Sequence, residues 1–515
     1  MRLTVRIAGD TDRRHVRACG VLMPLFSLPS RGGIGTLGSW AYRLIDMLCE
    51  SGQRYWQMLP IGPTGYGDSP YQCFSAFAGN PLFIDLDMLC ESGLIGVDEL
   101  NRDWGADGTR VDYGKVYSGR RQIFARVYER FFAETPPDFY NYCDLHRQWL
   151  DNYALFMAIK DSEGGRPFTD WPEGIRRRTP AALNEWTDRC ADGIKYHKML
   201  QYLFSKQWVA LHDYARRHGV ELIGDIPIYV SPDSVELWTS PHLFATDKKG
   251  NMTAVAGCPP DGFSPHGQLW GNPLYNWHGM RKNGYAWWIA RLGYSLQLFD
   301  RLRIDHFRGF EGYYCIPRGA NDAVVGTWRK GPGYDFWSEV ERKLGRLPII
   351  AEDLGFITPG VTKLVERCGF ESMKVMQFAF DSREESQYLP HNYARRCAVY
   401  TGTHDNSTVL GWTKEADAKD VAFARRYLGA ETDDEVRLGM MRAAIASTAE
   451  TCILTMPDLL ALGNEGRINT PSTVSGNWQW RASEGQMDSG WQVWLNEQCR
   501  LFGRTAKGET DNERN

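Results

Sequence analysis

Eight short apolar runs, each ending in Gly, Pro or polar residues, recur along the chain and constrain its fold more than any other feature. They are 21-VLMPL-25, 54-RYWQMLP-60, 221-ELIGDIPIYV-230, 301-RLRIDHF-307, 348-PIIAEDLG-355, 374-KVMQFAF-380, 397-CAVYTGTHD-405 and 452-CILTMPDLL-460. Helical patterns lie between several of them. In 36-TLGSWAYRLIDMLCESG-52, Trp40, Leu44, Met47 and Leu48 share a face and Gly52 is a stop. In 198-KMLQYLFSKQWVALHDYARRHG-219, Leu200, Leu203, Phe204, Trp208, Leu211 and Tyr214 form a stripe, again closed by a glycine. Near-continuous apolar strands alternating with amphipathic helices predict a parallel sheet covered on both faces. Eight such units predict a (β/α)8 TIM barrel, with a doubly wound sheet as the alternative.

Two gaps exceed ordinary barrel loops. Residues 86–197 carry helical stretches such as 118-SGRRQIFARVYERFFAE-134 and 141-NYCDLHRQWLDNYALFMAIK-160, so a helical insertion is expected after the second strand. Residues 231–290 are rich in Gly, Pro, Asn and Trp, and a long aromatic segment of this kind reads as a functional loop. Residues 1–515 thus read as one catalytic barrel with insertions, and 504–515 as a disordered tail.

The net charge of −4, without a basic run, leaves no nucleic-acid footprint. Twelve scattered cysteines with no C-x-x-C pair argue against a zinc site or a disulfide framework and suit a reducing cytoplasm. The first twenty residues have no apolar core for a signal peptide, and no stretch approaches a membrane span, so a soluble cytoplasmic protein is expected. The 19 Trp, 24 Tyr and 23 Phe fit either a core or the flat platforms of a sugar cleft.

Barrel enzymes draw their reactive groups from strand C-terminal ends. Here Asp225, Asp305, Glu352 and Asp405 end the third, fourth, fifth and seventh runs. Strand alternation in 301-RLRIDHFRGF-310 puts Arg303, Asp305 and Phe307 on one face and Ile304, His306 and Arg308 on the other. Alone, the Arg303–Asp305 pair reads equally well as a structural ion pair or as part of a site. Converging carboxylates raise the pKa of at least one of them, which leaves an acid and a carboxylate side by side near neutral pH. Glycoside cleavage uses that division. A divalent-metal site is the alternative, and the neighbouring Arg303 and His404 weigh against it because cations would compete with the metal. Glu352 and Asp353 are adjacent, so alternation aims only one at the cleft.

The chain resembles glycoside hydrolase family 77, the 4-α-glucanotransferases. The resemblance rests on 55-YWQMLPIGPTGYGDSPYQCFSAFAGNP-81, 224-GDIPIYV-230, 259-PPDGFSPHGQLWGNPLY-275, 302-LRIDHFRG-309, 351-AEDLG-355, 401-TGTHDN-406 and 466-GRINTPSTVSGNWQWR-481, in family order. It implies a retaining double displacement that moves α-1,4-glucan segments between maltooligosaccharides. Asp305 is then the nucleophile, Glu352 the acid and base, and Asp405 the residue that stabilises the distorted −1 sugar. Arg303 and His404 complete that subsite, and Asp225 supports it. The resemblance further implies a mobile loop at 259–273 whose Gln268 and Trp270 meet acceptor sugars, and sugar contacts for Ser69 and Tyr71. Tyr66 matches a second glucan site. Asn469 and 476-GNWQWR-481 line the far side, although Trp478 and Trp480 read equally as core. Phe26, Cys73 and Ser472 depart from the family pattern and bear on acceptor preference and loop motion. The implied partners are glucan donors and acceptors, with no cofactor and no metal, and the protein is a monomer or homodimer. An α-amylase-like hydrolase and an inactive glucan-binding protein remain the alternatives.

Overall fold

A computed structural model describes residues 17–505 apart from 106, 261–264, 356, 384 and 474; the side chain of Tyr66 also lies outside the described residues. Its strands are β1 (Ala18–Leu22), β2 (Tyr55–Gln57), β3 (Glu221–Pro227), β4 (Ala254–Cys258), β5 (Gln268–Pro273), β6 (Arg301–Asp305), β7 (Gly312–Pro317), β8 (Thr327–Lys330), β9 (Ile349–Ala351), β10 (Glu371–Val375), β11 (Cys397–Tyr400) and β12 (Thr451–Thr455). Eight of them close a parallel barrel in the order β1-β12-β11-β10-β9-β6-β3-β2. Each of the eight apolar runs overlaps one of these strands. The barrel strands are almost wholly buried because helices cover the outside and packed side chains fill the inside, which is why the runs are apolar throughout.

Barrel closure depends on close approach and on one buried cation. A Cβ at Gly20 would lie 2.3 Å from the Cβ of Tyr55, so only glycine lets β1 and β2 meet there. At the β1–β12 seam, Arg504 is fully buried. Its Nη2 donates to Ser447 O at 3.0 Å and to Ala449 O at 2.7 Å, and its Nη1 to Ala18 O at 3.3 Å. The expected tail therefore does not begin at 504; residues 506–515 lie outside the described residues.

Between β2 and β3 run helices that include Leu86–Glu91, Tyr113–Ala133, Pro137–Ser162, Pro180–Arg189 and Ala191–Arg217. Tyr142 O–H donates to Gln201 O at 3.1 Å, joining Pro137–Ser162 to Ala191–Arg217. The segment expected as a loop at 231–290 is different. Its β4 and β5 pair antiparallel, and β7 and β8, which follow β6, complete a four-stranded sheet in the order β5-β4-β7-β8. Within the expected loop 259–273, residues 268–273 are strand β5 and 261–264 lie outside the described residues. Among the described residues no helix is long and apolar enough to cross a membrane, and all twelve cysteines are free thiols.

Candidate active site

Register brings the carboxylates together. In the parallel ladder Asp225 lies opposite Arg303, and Pro227 opposite Asp305. Ile304 pairs with Ala351, so Asp305 and Glu352 occupy the next position on neighbouring strands, which run about 4.8 Å apart. The ladder continues past them, with Glu352 N–H donating to Ile304 O at 3.0 Å. Asp353 turns away, as alternation requires, and accepts from Met373 N–H at 2.8 Å.

Arg303 joins two of these groups. Its Nη1 donates to Asp225 Oδ2 at 2.6 Å and its Nη2 to Asp305 Oδ1 at 3.3 Å. Tyr71 O–H donates to the same Asp225 oxygen at 2.8 Å. The side chain of Asp225 is 0% exposed and that of Asp305 30% exposed, so the first is the structural partner and the second still faces the cleft. Arg303 thus stands between Asp225 and Asp305. Among the described residues no group of three or more His, Cys, Asp or Glu is arranged to hold a metal ion.

Burial dominates the titration of this mouth. It pushes Asp305 up to about 6, against the opposing pull of Arg303, while Asp225 and Asp405 push the same way as burial. Glu352 rises to about 7 through burial and then the nearby Asp305 charge. Its carboxylate is anchored by two main-chain donors, His306 N–H to Oε2 at 2.7 Å and Leu354 N–H to Oε1 at 2.9 Å. Burial also lowers His404, which makes it a neutral ring near pH 7. That corrects the expectation of two cations beside the cluster: Arg303 is one, His404 is not.

Tyr71, His404 and Asn469 form the opposite wall. The Tyr71 and His404 rings stack with centroids 5.0 Å apart and planes 17° from parallel. Asn469 Nδ2 donates to Asp405 Oδ1 at 2.6 Å, and His404 Nε2 lies 3.4 Å from Asp405 Oδ2. Arg467, which sequence reasoning missed, holds this loop by donating to Asp405 O at 3.3 Å and Asn469 O at 2.9 Å. Its signal was one arginine in the 466-GRINTPS-472 run. Trp478 and Trp480 are buried, the first with its ring 5.8 Å from His404, so they support the wall as core residues. Ser69 Oγ accepts from Tyr71 N–H at 3.3 Å and shapes the turn that presents this tyrosine.

The motif 301-RLRIDHFRGF-310 departs from strand alternation after Asp305. His306 takes φ 50°, a left-handed conformation that ends β6 and is strained for a non-glycine residue. Phe307 therefore leaves the face of Asp305 and is fully buried, 5.5 Å from Phe310 and from Trp337 between ring centroids. His306 turns toward the mouth, its ring 4.7 Å from Trp270 at 82°. Burial pushes His306 down to about 3, so the ring is neutral. Trp270 Nε1 donates to Gln268 Oε1 at 3.0 Å, and both lie on β5. The small sheet thus reaches the barrel mouth through His306. Tyr66 cannot be placed, its side chain being outside the described residues.

An eight-stranded parallel barrel with paired acids on adjacent strand ends defines a (β/α)8-barrel enzyme of the kind that works on glycosidic bonds. The chain belongs to glycoside hydrolase family 77: that family's model, described as 4-alpha-glucanotransferase, matches residues 23–487. The chain is similar to a 4-alpha-glucanotransferase of Streptococcus pneumoniae, 46% identical over 499 residues covering 96% of this chain and 99% of the relative. That of Thermus thermophilus is 44% identical over 482 residues, covering 92% and 96%. Among solved structures, amylomaltase from Streptococcus agalactiae in complex with acarbose superposes with a TM-score of 0.93 at 40% identity, covering 95% of this chain and all of that one. Amylomaltase from Corynebacterium glutamicum, at 17% identity and a TM-score of 0.76, covers 94% of this chain and 75% of its own length and shares the fold.

Proposed function

We propose that this glucanotransferase moves α-1,4-glucan segments by a retaining double displacement in which Asp305 and Glu352 do the covalent and proton chemistry. One observation carries the reading: the two carboxyls leave adjacent strands from matching positions, and their surroundings bring Asp305 to about 6 and Glu352 to about 7. Between those values an ionised Asp305 beside a protonated Glu352 is well populated.

Asp305 attacks the anomeric carbon of the −1 sugar as the glycosidic C–O bond breaks. Glu352 gives its proton to the departing glucan oxygen, leaving a β-glucosyl ester on Asp305. Glu352, now a carboxylate, takes the proton of an incoming 4-hydroxyl, whose oxygen displaces Asp305 and restores the α-linkage. Asp405, held by Asn469, binds hydroxyls of the −1 sugar, while Arg303 and Asp225 fix the floor beneath it. Tyr71 and His404 pack against this sugar, and Gln268 and Trp270 serve the acceptor. The helical insertion at 86–197 and the small sheet flank the mouth of a single catalytic unit. An amylomaltase 40% identical to this chain was solved in complex with acarbose, which supports sugar partners. Twelve free thiols fit a cytoplasmic setting.

Incubation with maltotriose and sizing of the products tests the reading. Glucose together with a ladder of longer oligomers is expected. Glucose and maltose alone indicate a hydrolase, and unchanged sugar a binding protein. Asp305→Asn should lower transfer by at least about 10⁴-fold while circular dichroism stays unchanged. An active, folded Asp305→Asn protein ends this mechanism.

A further inference from the structure

We infer that Arg291, which takes no part in the proposed chemistry, is a positioning residue that sets where Asp305 stands. It sits on the helix Ala286–Leu298, which leads directly into β6. Its side chain is buried, and Nη2 donates to Pro227 O at 2.7 Å while Nη1 donates to Ile228 O at 3.3 Å. Those carbonyls close β3 just beyond Asp225. Pro227 is the residue that lies opposite Asp305 in the ladder, and Asp225 lies opposite Arg303. One guanidinium therefore ties the helix that feeds β6 to the strand against which the end of β6 is registered.

A bare tether does not require a buried cation. The guanidinium lies 4.9 Å from the Trp288 ring centroid, and the buried Glu236 carboxylate and the Tyr275 hydroxyl act on its charge. An apolar side chain of similar volume fills such a place at little or no cost, whereas a buried charge is expensive to desolvate. What the guanidinium adds is a pair of donors of fixed geometry on two successive carbonyls. The junction is tight at Gly224 as well, where a Cβ would come within 2.3 Å of the Phe299 ring. Loss of the guanidinium frees Pro227 O, while Ile228 O keeps the Tyr275 O–H at 2.7 Å, so the strand end shifts at Pro227, and Asp225, Arg303 and Asp305 move with it. Displacement of a reacting atom by about 1 Å costs on the order of 10²-fold in rate.

This inference rests on Asp305 as nucleophile, and the test separates the two. Full-length Arg291→Met and Arg291→Lys proteins are assayed with maltotriose and with α-maltosyl fluoride, whose fluoride leaves without a proton from Glu352. Arg291→Met should lose about 10²-fold in kcat with both donors while KM for maltotriose moves less than about threefold, at unchanged near-ultraviolet circular dichroism. Arg291→Lys, which keeps the charge and one donor direction, should recover about tenfold of that loss. A kcat within about threefold of the parent with both donors, even at a lower Tm, makes Arg291 a structural tether only and overturns the inference. Loss with maltotriose but not with the fluoride places the effect on Glu352 and overturns it equally. If Arg291→Met does not fold, Arg291→Lys decides: about a tenfold fall in kcat with both donors is expected, and parental kcat overturns the inference. Asp305→Asn that still reacts with the fluoride overturns the nucleophile instead.

Discussion

Arg303 governs the two carboxylates that face it, and it does so unequally. Its shorter bond, 2.6 Å, goes to the wholly buried Asp225, and the longer, 3.3 Å, to the cleft-facing Asp305. The ion pair left ambiguous by the sequence is thus two interactions: a structural one with Asp225 and an electrostatic one that keeps Asp305 from rising above about 6. The sign of its removal follows. A carboxylate that loses its nearest positive charge favours the neutral form, so its pKa rises. Arg303→Gln should move the acid limb of the kcat/KM profile to higher pH when measured with α-maltosyl fluoride between pH 4 and 9. An acid limb that stays near 6 in this variant contradicts the role given to Arg303. With maltotriose the parent should also show an alkaline limb near 7 from Glu352, and both limbs belong to the coupled pair rather than to either group alone.

Single residues set where elements stop. Apolar alternation continues beyond Asp305 in the sequence, but His306 at φ 50° ends β6 and redirects everything after it. Likewise 452-CILTMPDLL-460 reads as one strand, whereas β12 ends at Thr455 and a helix spans Met456–Leu459. Thr455 caps that helix, its side chain accepting from Asp458 N–H, and Pro457 suits a first helical turn. The same logic holds at the chain's end. Arg504 lies among charged and small residues that read as a tail, yet it donates to carbonyls at the end of the helix Asp433–Ala446 and at the β1–β12 seam. Arg504→Ala strips buried carbonyls of their donor at about 1–3 kcal/mol for each one left unpaired. The expected outcome is a Tm lower by several degrees in a thermal melt, with kcat at 25 °C near parental because the seam is remote from the mouth. An unchanged Tm contradicts the seam's dependence on Arg504.

At the scale of the molecule, a barrel with its own mouth is met by a second sheet assembled from two separate parts of the chain. Strands β4 and β5 precede β6, and β7 and β8 follow it, so the sheet straddles the strand that carries Asp305. Trp270 on β5 rests against His306, whose N–H anchors Glu352. In the proposed mechanism acceptor recognition and the acid are therefore neighbours, which matters where a covalent intermediate must meet a sugar hydroxyl before water. Trp270→Ala should raise the share of hydrolysis, read as total reducing ends gained during incubation with maltotriose, more than it lowers the rate at which glucose is first released. A reducing-end count as flat as that of the parent removes Trp270 from acceptor selection.

The barrel was legible because its strands are buried on both faces, a pattern that depends only on local composition. Asp225, Asp305 and Glu352 were legible because they lie at or next to strand ends, whereas Asp405, expected to end a strand, lies in the loop after β11, which stops at Tyr400. The small sheet was not legible, since β8 is exposed along its length and β5 alternates weakly, and their partners lie far away in sequence. His306 was assigned to the wrong face because period-two alternation assumes a strand that continues. By itself, then, the sequence determined the barrel and the identity of the groups at its mouth, because burial and strand ends are local properties. Tertiary structure alone decided which carboxylate Arg303 holds, that His404 is neutral, and that Trp270 and Glu352 meet through His306. Those outcomes depend on distances and desolvation among residues brought together from distant parts of the chain.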